Sequence, residues 1–269
     1  MKRNLFLITT LLSLSLLACG SKSTSTEDSN KNAVDSLNTK QSSSYINSDI
    51  YLDSNNKPLE VTLVGHGSVM FQFDGKVIQV DPYSSVADYS RLPKADLILL
   101  THEHKDHLDS AAIAQTKKAD THFIVSKVCN EILGYGDIMS NGNKIEWNGI
   151  AIEAVPAYNI VNKKPDGEHW HPKGRGNGYV LTFGTLKVYV AADTENIQEM
   201  NRLKGTIDIA FLPKNLPYTM SDEMFIDAAK TVAPKNLYPY HFSEFDEAKI
   251  GAALKDTGIK LVVKPMSNK

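Results

Sequence analysis

Three histidines and an aspartate fall within six residues of this chain, in the run Thr101-His102-Glu103-His104-Lys105-Asp106-His107, directly behind the apolar segment Leu97 to Leu100. A strand that ends at Leu100 delivers the run into a loop, and the alternation of side chains along an extended chain puts His102 and His104 on one side. Two imidazoles can then share one metal ion. Asp106 and His107 follow where the chain turns toward the next helix, so they can face a second position beside the first. Neutral imidazole and carboxylate are the ligands zinc takes at about 2.0 to 2.2 Å, although manganese and iron accept the same mixed set.

Such a run is only part of a metal site, because a closed set of ligands needs residues from elsewhere in the chain. Two more lie just past apolar strands: Asp193, behind Leu186 to Val190, and His241, in Tyr238-Pro239-Tyr240-His241-Phe242. Asp81, at the end of Val77 to Val80, is a candidate to fix the tautomer of a ligating histidine through the ring nitrogen that faces away from the metal. His66, between Gly65 and Gly67, is a candidate for the pocket rim.

The chain around these residues reads as short strands separated by turn signals. Val61 to Val64, Val69 to Phe73 and Val77 to Val80 come first, with Asp74-Gly75 marking a hairpin. A helix is expected from Ser110 to Lys117 with Asp109 as its cap, and another around the lone Cys129. Strands follow at Thr121 to Val125, Lys144 to Trp147, Ile150 to Val155, Tyr179 to Phe183, Leu186 to Val190 and Ile207 to Leu212. Helices at Asp222 to Thr231 and Asp246 to Leu254 alternate with short strands at Asn236 to Tyr238 and Lys260 to Val263. There is no short-period repeat, but the two halves are broadly alike, as expected for an α/β chain of facing sheets with helices outside.

Ahead of these elements the chain changes character. Lys2 and Arg3 precede the apolar run Leu5 to Leu17, which is too short to span a bilayer and ends in Leu16-Leu17-Ala18-Cys19-Gly20. This resembles a bacterial lipoprotein lipobox, with Cys19 as the lipidated residue. Residues 20–47 are rich in Ser, Thr, Asn and Lys and read as a flexible tether. The expected plan is therefore a signal peptide at 1–19, a tether at 20–47 and a catalytic domain at 48–269. The chain would sit at the cell envelope, attached to the membrane by its lipid alone. With Cys19 acylated, Cys129 has no disulfide partner in the chain and reads as a buried apolar residue. A formal net charge of -2 and no basic stripe argue against nucleic acid as a partner.

His102, His104, Asp106, His107, Asp193 and His241 together resemble the signature of the metallo-β-lactamase superfamily. The resemblance runs from about Val61 to Pro265 and implies a four-layer αββα sandwich with two metals at one edge of the facing sheets. Gly65-His66-Gly67-Ser68, Val80-Asp81-Pro82 and Tyr240-His241 look like the branch of ascorbate-6-phosphate lactonase-like proteins and N-acyl phosphatidylethanolamine phospholipase D. The resemblance implies hydrolysis, by a metal-bound hydroxide that Asp106 helps to orient, of an ester, lactone or phosphodiester in a small or lipid-derived substrate. Asp193 would lie between the metals.

One position departs from the pattern. In Val155-Pro156-Ala157-Tyr158-Asn159, Tyr158 stands where the third histidine of the first metal site belongs. Either that site is vacant or weak, or Tyr158 or Asn159 ligates directly, or a histidine arrives from the Gly-rich stretch Glu168 to Gly178; His171 is the preferred substitute. If none arrives, the alternative is a non-catalytic metal- or ligand-binding lipoprotein that keeps the fold. Lys173 and Arg175 in the same stretch are candidates for an anion-recognising loop, and Trp170, Tyr158, Tyr218 and Tyr240 for the walls of a pocket.

Overall fold

The computed structural model describes residues 47–266; the leader, Cys19 and the tether up to residue 46 lie outside the described residues. Two seven-stranded sheets face each other. The first holds β1 (Ser48–Leu52), β2 (Pro58–Gly65), β3 (Ser68–Phe73), β4 (Lys76–Val80), β5 (Ala95–Leu100), β6 (Lys117–Val125) and β7 (Asp137–Ile138), in chain order. The second holds β8 (Lys144–Trp147), β9 (Ile150–Ala157), β10 (Gly176–Phe183), β11 (Leu186–Val190), β12 (Ile209–Pro213), β13 (Asn236–Tyr240) and β14 (Lys260–Leu261), again in chain order. Each sheet has the same plan, with three antiparallel pairings followed by three parallel ones. The likeness of the two halves is thus a likeness of topology.

Strand alternation sorts side chains between two cores. In β12, Ile209 and Phe211 face the other sheet, while Ala210 and Leu212 face the outer helices. In β3, Val69, Phe71 and Phe73 point into the middle and Met70 points out. Phe71 packs on Phe183 and Phe211 of the opposite sheet, with ring centroids 5.3 and 5.9 Å away. Truncating such a fully buried ring costs about 3 to 5 kcal/mol. Because both faces are covered, the central strands are apolar nearly throughout.

The outer layers are helical. Over the first sheet lie α1 (Ser110–Thr116) and α2 (Lys127–Leu133), capped by Asp109 and Ser126. Over the second lie α3 (Asp222–Val232) and α4 (Glu247–Leu254), capped by Ser221 and Asp246. The architecture is the expected αββα sandwich. Cys129 is fully buried on α2, and burial pushes its thiol up to about 12. Among the described residues no helix is long and apolar enough to cross a membrane. The structure departs from the expectation in several details: α1 ends at Thr116 and β6 already begins at Lys117, β14 stops at Leu261, β1 and β7 complete the edges of the first sheet, and a 3-10 turn at Gln198–Leu203 follows Asp193.

Candidate metal centre

Both sheets send their strand ends to one edge. The loop after β5 brings His102, His104, Asp106 and His107; the turn after β2 brings His66, the end of β4 Asp81, the end of β11 Asp193 and the end of β13 His241. His171 arrives on the long connection between β9 and β10. The edge is tied across the sheets, since the His241 N–H donates to the His66 carbonyl at 2.9 Å and the Tyr179 hydroxyl donates to the Leu100 carbonyl at 2.9 Å.

Two groups of donor atoms form there. In the first, His102 Nε2 and His104 Nδ1 are 3.1 Å apart, and His171 Nε2 is 3.2 Å from His104 Nδ1. Asp193 Oδ2 closes this group at 3.3 Å from His171 Nε2 and 3.9 Å from His102 Nε2. In the second, Asp106 Oδ2 lies 3.7 Å from His107 Nε2 and 3.4 Å from His241 Nε2. Asp193 closes this group too, with Oδ1 3.5 Å from His107 Nε2 and Oδ2 3.3 Å from His241 Nε2. One carboxylate therefore faces both groups.

The rings are held by bonds on their far sides. Asp81 accepts from the His107 Nδ1–H at 2.7 Å and from the Thr101 amide and hydroxyl at 2.8 and 2.5 Å; Thr101 Oγ1 in turn lies 2.9 Å from His102 Nδ1. Asn159 Oδ1 accepts from the His171 Nδ1–H at 2.7 Å and from the His171 amide at 2.8 Å. Its Nδ2 donates to Glu195 at 3.0 Å. With Nδ1 protonated, these rings turn the Nε2 lone pair toward the centre.

Charge follows the same geometry. Burial works against the Asp193 carboxylate, yet His241 and His107 beside it hold its pKa well below the ordinary range. Burial likewise disfavours a charged His107, but Asp193 and Asp81 on its two sides raise its pKa well above that of free histidine. Burial and the neighbouring His107 keep His102 neutral, well below its usual value. Carboxylates that favour a positive charge beside them, next to His102 and His104, whose pKa values burial lowers, suit a divalent cation.

The backbone is strained at the centre. His66, Asp81, Ala192 and His241 all have positive φ, between 46° and 60°, a region costly for side chains other than Gly and Asn. Gly67 is required by contact instead, since a Cβ there would lie 2.6 Å from His107 Cε1.

Residues 60–241 match the family model for the β-lactamase superfamily domain. The chain belongs to the metallo-β-lactamase superfamily. A crystal structure of a Parabacteroides distasonis protein described as a metal-dependent hydrolase shares 45% identity with it and a TM-score of 0.78, over 82% of this chain and 99% of that one. A metal-dependent hydrolase of Ligilactobacillus salivarius is 28% identical, over 71% of this chain and 88% of its own. Igni18, a metallo hydrolase of Ignicoccus hospitalis, shows the same fold at 23% identity, with a TM-score of 0.64 over 78% and 96% of the two chains.

The donor set fits the divalent metal that the superfamily implies. Buried His107 Nε2, Asp193 Oδ1 and both ring nitrogens of His241 have no hydrogen-bond partner. Leaving such atoms unpaired costs about 1 to 3 kcal/mol each, which a shared cation would offset. A tetrahedron with ligands at about 2.0 to 2.2 Å has edges of about 3.3 to 3.6 Å, close to the separations in both groups.

The structure also settles where the departing residue goes. Tyr158 turns its hydroxyl away from the histidines and donates to Glu199 at 2.9 Å, so it is not among the donor atoms. Lys173 Nζ lies 4.7 Å from the Tyr158 ring centroid and 2.7 Å from Glu199 Oε1, so Tyr158 helps to pin the segment just after His171. Asn159 likewise supports His171 and does not join the group. The proposed anion loop is corrected in the same way: Lys173 is paired with Glu199 and Arg175 with Glu103, so neither cation is free. Tyr240 lies in the core between the sheets, and only Trp170 and Tyr218 of the four aromatics wall the cavity over the centre. That cavity, of about 410 Å³, is lined by Asp106, Asp193 and His241 together with His104 and His171, and also reaches Lys105 and Asn215. His66 sits at its edge and donates from Nε2 to the Asp106 carboxylate at 2.7 Å.

Thr101 and Glu195 are the supports that sequence reasoning did not single out. Fully buried Glu195 accepts from the amides of Ile160, Val161 and Asn162, each at 2.7 Å, as well as from Asn159. Its only linear signal is a second acid two residues after Asp193.

Proposed function

We propose that the chain is a metal-dependent hydrolase that holds two zinc ions and cleaves an ester, lactone or phosphodiester bond in a small or lipid-derived substrate. The observation that carries this reading is Asp193, whose single buried carboxylate faces two groups of histidine nitrogens at 3.3 to 3.9 Å. His102, His104 and His171 would hold one ion, and Asp106, His107 and His241 the other, with Asp193 between them. When bound, such ions supply Lewis acidity and a water acidic enough to attack near neutral pH.

The protein's own groups do the rest. Asp106 is the most exposed of the four donors around the second ion and lies on the cavity, where its carboxylate can accept a hydrogen bond from water and aim it. His66 restrains that carboxylate. Cys19 would tether the domain to the envelope membrane, as the lipobox-like leader suggests, and the substrate classes follow the lactonase and phospholipase branch that the sequence resembles.

A non-catalytic role was motivated by Tyr158 in the place of a histidine. It loses that motive once His171 lies 3.2 Å from His104. The test uses a form beginning at Ser48, with bound metal counted and lactone and phosphodiester panels compared for the wild type, Asp106→Ala, His171→Ala and His241→Ala. Two metals per chain and loss of turnover in all three variants are expected; a metal-free, inactive wild type after zinc supply would sink the reading.

A further inference from the structure

Seven large apolar side chains are strongly exposed among the described residues, and four of them lie on two hydrogen-bonded loops that reach the cavity at Tyr218. Ile160 (49% exposed), Val161 (60%), Leu216 (54%) and Tyr218 (40%) lie on two loops. Asn159 Nδ2 donates to the Tyr218 carbonyl and Asn162 Nδ2 to the Thr219 carbonyl, both at 2.9 Å, which joins the loops. The first loop is not frayed chain, because Glu195 holds its three successive amides inward while Ile160 and Val161 face solvent. Tyr218 continues the patch into the cavity, where it meets Trp170 with ring centroids 4.7 Å apart. Exposed apolar surface gathered at one opening marks a binding surface more often than chance scatter does.

Lys105 also lines the cavity. It is exposed and has no hydrogen-bond or ion-pair partner among the described residues, unlike Lys173 and Arg175. A free cation beside the donor groups suits an acidic substituent near the bond to be cleaved.

From these observations, and resting on the hydrolase reading above, we infer that the substrate is an anionic amphiphile: its acidic group meets Lys105 and its apolar chain lies over Tyr218, Leu216, Ile160 and Val161. The occupant is the tail of the substrate itself, because Tyr218 belongs both to the exposed apolar set and to the cavity wall. Burying a methylene completely strengthens binding about four-fold, so a half-open rim gives about two-fold per methylene.

The test is calorimetric titration of the purified chain, zinc-loaded and zinc-stripped, with butyl, hexyl and octyl phosphate and the matching alkyl carboxylates below their micelle concentrations. Affinity should rise about fifteen-fold from butyl to octyl in both metal states, since the rim does not touch the donor groups. Val161→Ser with Leu216→Ser should flatten the series to less than about three-fold, and Lys105→Gln should weaken every probe by about ten-fold without changing the slope. The stronger of the two series identifies the acidic group as phosphate or carboxylate. A flat series in the wild type overturns the inference, as does a slope that survives the double variant. A chain that binds phosphatidylcholine vesicles through this face while the series is flat has a membrane contact there instead, which also overturns it. A persistent slope in a chain that takes up no zinc when zinc is supplied would sink the two-zinc reading and leave the amphiphile site standing.

Discussion

The two donor groups share Asp193, but they are assembled by different means. The second group is a product of the sheets: Asp106 and His107 follow β5, Asp193 follows β11, His241 follows β13, and Asp81 at the end of β4 braces His107. The first group takes His102 and His104 from the same strand end, yet its third nitrogen comes from a connection 67 residues further on. That connection is placed by loop contacts, with Asn159 and Glu195 on one flank of His171 and the Tyr158, Glu199 and Lys173 cluster on the other. The difference teaches that a site built from strand ends inherits its geometry from the sheet, whereas one completed by a loop needs its own buried polar supports.

Asp193→Ala should erase the distinction, because both groups lose their common carboxylate. Bound zinc should fall below one per chain and hydrolysis by on the order of a thousand-fold, read by metal analysis and initial rates. His171→Ala and His241→Ala should separate the groups, each removing about one metal while leaving the other, with calorimetric titration as the measurement. Equal loss of both metals from either variant would show that the groups form as one unit. Supporting residues should have smaller effects. Asn159→Ala is expected to weaken one site and Asp81→Asn the other, each by about ten- to a hundred-fold in zinc affinity.

Gly67→Ala probes the sheet-built side through packing, since the added methyl would press on the His107 ring. A loss of about 1 to 3 kcal/mol in denaturant unfolding is expected, together with weaker binding at the second group alone. Tyr158→Phe should be the mildest change, at about 0.5 to 1.5 kcal/mol for the lost bond to Glu199, with metal content unchanged. If it removed a metal, the assignment of Tyr158 as a support would fail.

Much of the fold could be read from local pattern. Asp74-Gly75 marked the hairpin, and both residues take the positive φ that such a turn needs. Asp109 announced its helix because capping is decided by a side chain and amides two or three residues away. β1 was missed because Ser48–Leu52 is partly polar and gains its order from pairing with β2. Glu195 was overlooked for a related reason: a buried carboxylate satisfied by backbone amides looks, in sequence, like any surface acid. Lys173 and Arg175 misled because a run of cations among glycines does not reveal that Glu199 and Glu103 lie opposite.

The run from His102 to His107 by itself determined that donor side chains would leave the first sheet together, since strand alternation and chain continuity act over a few residues. Which distant groups would meet them was a tertiary decision. His171 reaches His104 because Asn159, Glu195 and Glu199, none adjacent to it in sequence, place its loop, and buried hydrogen bonds tolerate displacements of only a few tenths of an ångström. Asp193 and His241 became partners only when two sheets with the same strand plan brought their ends to one edge.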